Sequence, residues 1–197
     1  MAAAFYIEND TIVINRDLTE LDTFVKKFLE VLKKHSNYLI VSGYVSISTG
    51  RTRATEDVDV LFPIMSKEKF SNLFDELQEN GFWCYQGDSS EEIYHYIGDN
   101  LSIRFARIDE LFPNIEFIPI DISRKLKFFE FSNPQNVRIK DFAFKIPQIE
   151  FEIMYKEIIL GSEKDFADAR HLRNFFSTIL KKEKLKEFEK LIRIYHE

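Results

Sequence analysis

The chain has 197 residues, 45% of them apolar and 15% aromatic, with a formal net charge of −6. That content supports one packed domain, or a domain with a small helical appendage, and excludes disorder. The acidic balance disfavours a nucleic-acid-coating role, the apolar runs are far too short to span a bilayer, and the single Cys84 leaves no intrachain disulfide or cysteine-based zinc site. MAAAFYIEND lacks a basic stretch before an apolar run, so no signal peptide is expected and the expected compartment is the cytoplasm.

In chain order, FYIENDTIVIN alternates around Asn9-Asp10 and reads as a hairpin. In DLTELDTFVKKFLEVLKKH, residues Leu21, Phe24, Val25, Phe28, Leu29 and Leu32 form one stripe, a helix capped by Asp17 or Thr19. NYLIV reads as a buried strand, SGYVSIST as a turn into a short helix, and EDVDVLFP as a second strand. SKEKFSNLFDELQENG is a helix capped by Ser66 and stopped at Gly81. FWCYQG, EIYHYIG, LSIRFARI and IEFIPIDIS then read as successive strands, with one more in VRIKDFAFKIP. From Gln148 the spacing is helical. One helix stops at Gly161, another opens at Ser162, and the tail carries Leu185, Phe188, Ile192 and Tyr195 on one stripe. The expected architecture is α+β (α/β): a mixed sheet flanked by helices over residues 1–147, then a helical subdomain over 148–197.

The chemistry concentrates between Val41 and Pro63. Alternate strand residues share a side, so Asp57 and Asp59 project two carboxylates together while Val58 and Val60 face the core. Like charges so close repel, and a magnesium-like cation with a preference for hard oxygen ligands relieves them. Upstream, the turn at Ser42-Gly43 into a short helix is a candidate phosphate cradle, with hydroxyls from Ser42, Ser46, Ser48 or Thr49.

Gly43, Gly50, Arg53, Thr55, Asp57 and Asp59, in SGY…GRTRATEDVD, resemble the signature of the polymerase-β-like nucleotidyltransferase superfamily, a Gly-Gly or Gly-Ser pair followed after a spacer by Asp-x-Asp. More narrowly, they resemble the branch of AbiEii-type toxins and similar minimal stand-alone nucleotidyltransferases. Near the other end, Lys156, Gly161, Lys164, Asp165, Asp168 and Leu172 are similar to that branch's helical pattern. The order Ser42-Gly43 departs from the usual pair. The resemblance implies a nucleotidyltransferase-like fold in which Asp57 and Asp59 hold Mg²⁺ or Mn²⁺. It also implies a third carboxylate from a later strand, for which Asp121 is the first choice and Glu116 and Asp109 are alternates. A nucleoside triphosphate is the implied donor, with contacts drawn from Ser42, Gly43, Ser46, Arg51, Arg53 and Lys156. The acceptor hydroxyl belongs to RNA such as a tRNA end, to a protein or to a small molecule, and an antitoxin is a conceivable partner.

Plainer roles compete. Asp57 and Asp59 could be solvent-facing strand-end residues, Arg53 a tie between its loop and the carboxylates, and Lys156 a snorkelling surface lysine. Ser162 to Asp165 reads as a capping box, and Asp168 as a partner of Arg170 or Arg173. The four histidines show no metal-ligand spacing. The leading reading is therefore a metal-dependent nucleotidyltransferase. A non-catalytic module of the same fold is the alternative, and a sugar-nucleotide transferase, which leaves Gly50, Arg53 and Thr55 unexplained, ranks last.

Overall fold

The computed structural model describes residues 3–196. It opens with the hairpin β1 (Phe5–Glu8) and β2 (Thr11–Ile14), turned by Asn9 and Asp10 at φ 47° and 59°, a conformation these two residue types tolerate. Helix α1 (Glu20–His35) starts at Thr19, whose hydroxyl and backbone exchange hydrogen bonds with Asp22 in a capping box. Then come β3 (Leu39–Ile40), α2 (Gly43–Ser48), β4 (Asp57–Pro63), α3 (Lys67–Glu79) and β5 (Phe82–Cys84). They are followed by α4 (Ser90–Gly98), β6 (Ile103–Arg107), β7 (Asn114–Ile120), α5 (Lys125–Ser132), β8 (Pro134–Ile139) and β9 (Phe142–Pro147). Helix α6 (Ile149–Tyr155) runs into a π-helical turn, Lys156–Leu160, before α7 (Glu163–Phe175) and α8 (Lys182–His196).

Two sheets result. The larger has the order β3-β4-β7-β6-β5, with only β4 and β7 parallel. The smaller, β1-β2-β8-β9, joins the N-terminal hairpin to a late one through the parallel pair β2 and β8. One face of the larger sheet carries Val58, Val60, Phe62, Ile103, Phe105, Ile115 and Phe117, all fully buried. Phe24 and Phe28 of α1 and Phe70 and Phe74 of α3 pack into the same core, each such ring contributing about 1.5–3 kcal/mol by burial. Phe151, Leu172, Phe188 and Ile192 from the C-terminal helices belong to this cluster too. No helix among the described residues is long and apolar enough to cross a membrane.

Several local expectations differ from what the chain does. EIYHYIG is helix α4, not a strand: Ser89 caps it by accepting from Glu92, and Ile93 and Ile97, one turn apart, are both fully buried. The Tyr-His-Tyr run imitates strand alternation, but the buried pair has helical spacing. VRIKDFAFKIP is two strands, β8 and β9, turned at Lys140 with φ 52°. The segment Lys125–Ser132, unread in the sequence, is α5, which has no side-chain cap to announce it. The expected stop at Gly161 (φ 65°) and start at Ser162, in a capping box with Asp165, are both present.

Candidate functional site

The other face of the larger sheet is polar at one end. In register across four strands, Asp57 pairs with Asn114, which pairs with Ala106, which pairs with Trp83. One row further, Asp59 pairs with Glu116 and Glu116 with Arg104, whose carbonyl accepts from the Tyr85 amide at 2.9 Å. Paired residues on neighbouring strands project to the same side. Asp57, Asp59 and Glu116 are therefore neighbours on one face, with Arg104, Trp83 and Tyr85 beyond them. The next row turns apolar: Leu39, Val41, Leu61, Ile118 and Ile120 pack under Phe131 of α5.

The entry of β4 is fixed by hydrogen bonds. Thr55 Oγ1 donates to the Asp57 carbonyl at 2.8 Å, and Asn114 donates to the Glu56 carbonyl from its backbone (2.9 Å) and its amide (3.0 Å). Burial pushes the Asp59 carboxyl up to about 6, reinforced by Asp57 and then Glu116, while Ser42 and Lys127 pull it down. Ser42 holds φ 62° and ψ −128°, a backbone conformation suited to glycine, just where the resembled motif shows one.

The register sets Glu116, not Asp121, beside the pair. Asp121 follows Ile120 at the far end of β7, five residues from Glu116 and so roughly 16 Å along the strand. Its carboxylate accepts from the Ser123 backbone (2.8 Å) and hydroxyl (2.5 Å), and Asn100 donates to it at 3.3 Å. Those Ser123 contacts hold its pKa below the usual carboxylate value. Asp109 lies in the exposed β6–β7 loop at φ 65°. Glu116 itself is engaged: Arg104 Nη2 donates to it at 2.8 Å and Ser102 Oγ at 2.7 Å.

The residues expected to meet phosphate converge instead on Asp168, which is fully buried. Arg51 Nε donates to it at 2.5 Å, Arg53 Nη1 donates to its other oxygen, and Lys156 Nζ reaches it at 3.2 Å. Lys156 is wholly buried and also pairs with Glu152 at 3.3 Å, so it does not snorkel. Arg170 and Arg173 are not the partners of Asp168; Arg173 pairs with Glu157. Gly43 is needed where it stands, because a Cβ there would lie 3.0 Å from the Arg53 guanidinium. Ser46 is fully buried with its Oγ unpartnered, and Ser48 and Thr49 donate back to the carbonyls of Val45 and Ser46. Together these contacts clamp the loop between α2 and β4 onto the C-terminal helices.

Whether the carboxylates suit a divalent ion can be tested on these contacts. Asp57 and Asp59 offer hard oxygen donors on one side, and the raised Asp59 pKa marks a place that favours added positive charge. Among the described residues, however, no three or more His, Cys, Asp or Glu side chains are grouped to hold a metal. The residues thus fit an ion that two carboxylates would hold, as magnesium is commonly held.

No protein-family model matches the chain, and no curated protein matches its sequence. Solved structures do, and they define its architecture: the chain has a nucleotidyltransferase-like fold. An antigenic nucleotidyltransferase-like protein from Paracoccidioides brasiliensis is similar with a TM-score of 0.53 at 16% identity, over 88% of this chain and 87% of that one. ANT(2″)-Ia, solved in complex with adenylyl-2″-tobramycin, is similar with a TM-score of 0.50 at 14% identity, over 91% of this chain and 100% of that one.

Proposed function

We propose that the chain is a metal-dependent nucleotidyltransferase that moves a nucleoside monophosphate from a nucleoside triphosphate to an acceptor hydroxyl. The observation that carries this reading is the row of Asp57, Asp59 and Glu116, adjacent in register on a sheet face whose next row is apolar. Asp57 and Asp59 are the residues that would hold Mg²⁺ or Mn²⁺, which when bound supplies charge neutralisation for the phosphate and the carboxylate pair. In the reaction the acceptor oxygen bonds to the α-phosphorus, the bond to the bridging oxygen breaks, and pyrophosphate leaves. Glu116, one strand away, takes the proton of the attacking hydroxyl, and Arg104 and Ser102 hold its carboxylate in place.

The acceptor side of the same face carries Arg104 and the stacked rings of Trp83 and Tyr85, with centroids 4.8 Å apart. Stacked aromatic rings suit the flat base of an RNA end. A toxin–antitoxin role and a cytoplasmic setting rest on the resemblance and on the reduced, buried Cys84.

One observation favours a second reading, a non-catalytic nucleotide-binding module: Glu116 is committed to Arg104, and among the described residues no group of three acids is placed to hold a metal. One experiment separates the two. Incubation with each labelled nucleoside triphosphate, magnesium and an RNA extract transfers label with wild-type protein and none with Asp57→Asn. Magnesium-dependent nucleotide binding without transfer to RNA, to small hydroxyl compounds or to the protein itself selects the second reading.

A further inference from the structure

A second cleft lies away from the carboxylate row. Tyr38 precedes Leu39, which pairs with Leu61, so Tyr38 sits near the Phe62 level of β4, roughly 16 Å along that strand from Asp57. There the end of α1 and the approach to β3 lie against β9, the outer strand of the smaller sheet. They leave a cavity of about 460 Å³, within the range of small-molecule sites. Its sheet side carries Glu8, Thr11, Asn136 and Lys145, in register across all four strands.

The charges of this cleft do not balance. Lys33, Arg138 and Lys145 line it, and Glu8, the one acid in the lining among the described residues, is taken by Arg138 at 2.6 Å. Two ammonium groups are left over, in a protein of net charge −6. They are also close together. Lys33 Nζ donates to the Ala143 carbonyl at 2.7 Å, and Ala143 is two residues from Lys145 on β9, about 7 Å along the strand and facing the same side. That contact pins the Lys33 ammonium over the cleft, 5.8 Å from the centroid of the Tyr38 ring. Burial lowers the Lys33 pKa; Glu30, outside the lining, opposes that shift, and Lys145 and Lys26 add to it.

We infer that this cleft binds a small phosphomonoester, with its phosphate between Lys33 and Lys145 and its hydroxylated or heterocyclic body against the amides of Asn37 and Asn136. The charge count selects the class. A phosphate monoester carries about −1.5 to −2 at neutral pH and so meets both unpaired ammonium groups, whereas a single carboxylate meets only one. Lysines serve phosphate well as compact point charges. The amides of Asn9, Asn37 and Asn136 line the same cleft and offer both donors and acceptors to sugar hydroxyls or ring heteroatoms. The inference stands apart from the nucleotidyltransferase reading, because none of these residues belongs to the carboxylate row.

The test is calorimetry without divalent metal and at low ionic strength. It compares inorganic phosphate, ribose 5-phosphate, glucose 6-phosphate, the nucleoside 5′-monophosphates and the matching unphosphorylated compounds. At least one phosphomonoester should bind wild type about tenfold or more tightly than its unphosphorylated counterpart and than inorganic phosphate. Whether a sugar phosphate or a nucleotide binds best names the body. The double variant Lys33→Gln, Lys145→Gln removes both unpaired charges and leaves the Arg138–Glu8 pair intact. It should bind that ester about tenfold or more weakly, while Asp57→Asn binds it as wild type does. The inference is overturned if wild type prefers no phosphomonoester, if inorganic phosphate binds as tightly as every ester, or if the double variant binds the ester equally well. Loss of binding in Asp57→Asn overturns it too, by moving the ester to the carboxylate face. A second measurement uses only wild-type protein: the best ester should protect Lys33 and Lys145 from acylation read by mass spectrometry, and absence of that protection overturns the inference.

Discussion

Asp59 and Asp168 are the same residue type in opposite surroundings. Asp168 is fully buried and receives Arg51, Arg53 and Lys156. Asp59 is half-buried beside two further acids, Asp57 and Glu116. The first arrangement is electrostatically complete and works as a clamp between the α2–β4 loop and the C-terminal helices. The second leaves Asp57 and Asp59 without a salt-bridge partner among the described residues, an arrangement that added positive charge would relieve. A complete cluster holds a fold together, whereas an incomplete one stores affinity for a ligand.

That contrast can be broken at either end. The largest effect on stability belongs to Asp168→Ala, which strands two guanidinium groups and a buried ammonium; denaturant unfolding should show a loss of about 3–5 kcal/mol. Asp57→Asn should do the reverse of a structural lesion. The protein should stay folded while transfer falls by about a hundredfold or more, and added magnesium should raise the melting temperature of wild type but not of this variant. Parallel kinetics of Glu116→Gln and Asp121→Asn sharpen the site's boundary: the first loses transfer, and the second keeps it.

The pH dependence gives a smaller effect with a definite sign. The folded pKa of Asp59 stands at about 6 against 3.8 for the free side chain, so the folded state holds the proton more tightly. Its contribution therefore disfavours the fold progressively as pH rises from near 4 through 6. Asp59→Asn should be more stable than wild type at pH 8 by roughly 2 kcal/mol, with the gain gone at pH 4. A gain that persists at low pH would mean packing, not charge, was responsible. Smallest of all is Ser42→Gly, which relieves the positive φ but gives up a hydroxyl contact to Asp59. Thermal melts should move by less than about 1 kcal/mol equivalent, and the Asp59 pKa, followed by NMR titration, should rise.

Local elements were legible wherever the signal lay in neighbouring residues. The Asn9-Asp10 turn, a helix cap at Asp17 or Thr19, the α3 helix between Ser66 and Gly81, and the Gly161-Ser162 break all follow from side chains within about one helical turn of each other. Helix α4 was obscured because aromatic alternation imitates a strand, and α5 because its stripe is weak and its start uncapped.

The sequence by itself determined that Asp57 and Asp59 share one side of a strand, since a period of two is a property of the extended backbone. It also determined that Val58 and Val60 turn inward. Only the tertiary structure decided which acid joins them, because the parallel register of β4 and β7 brings Glu116 level with Asp59 and carries Asp121 past the end. The fate of the cations was settled the same way. Arg51 and Asp168 are 117 residues apart, and only packing of α7 against α2 and its loop brings them together. Spacing along a chain specifies direction, but proximity between distant carboxylates and cations is a property of how strands align and helices pack.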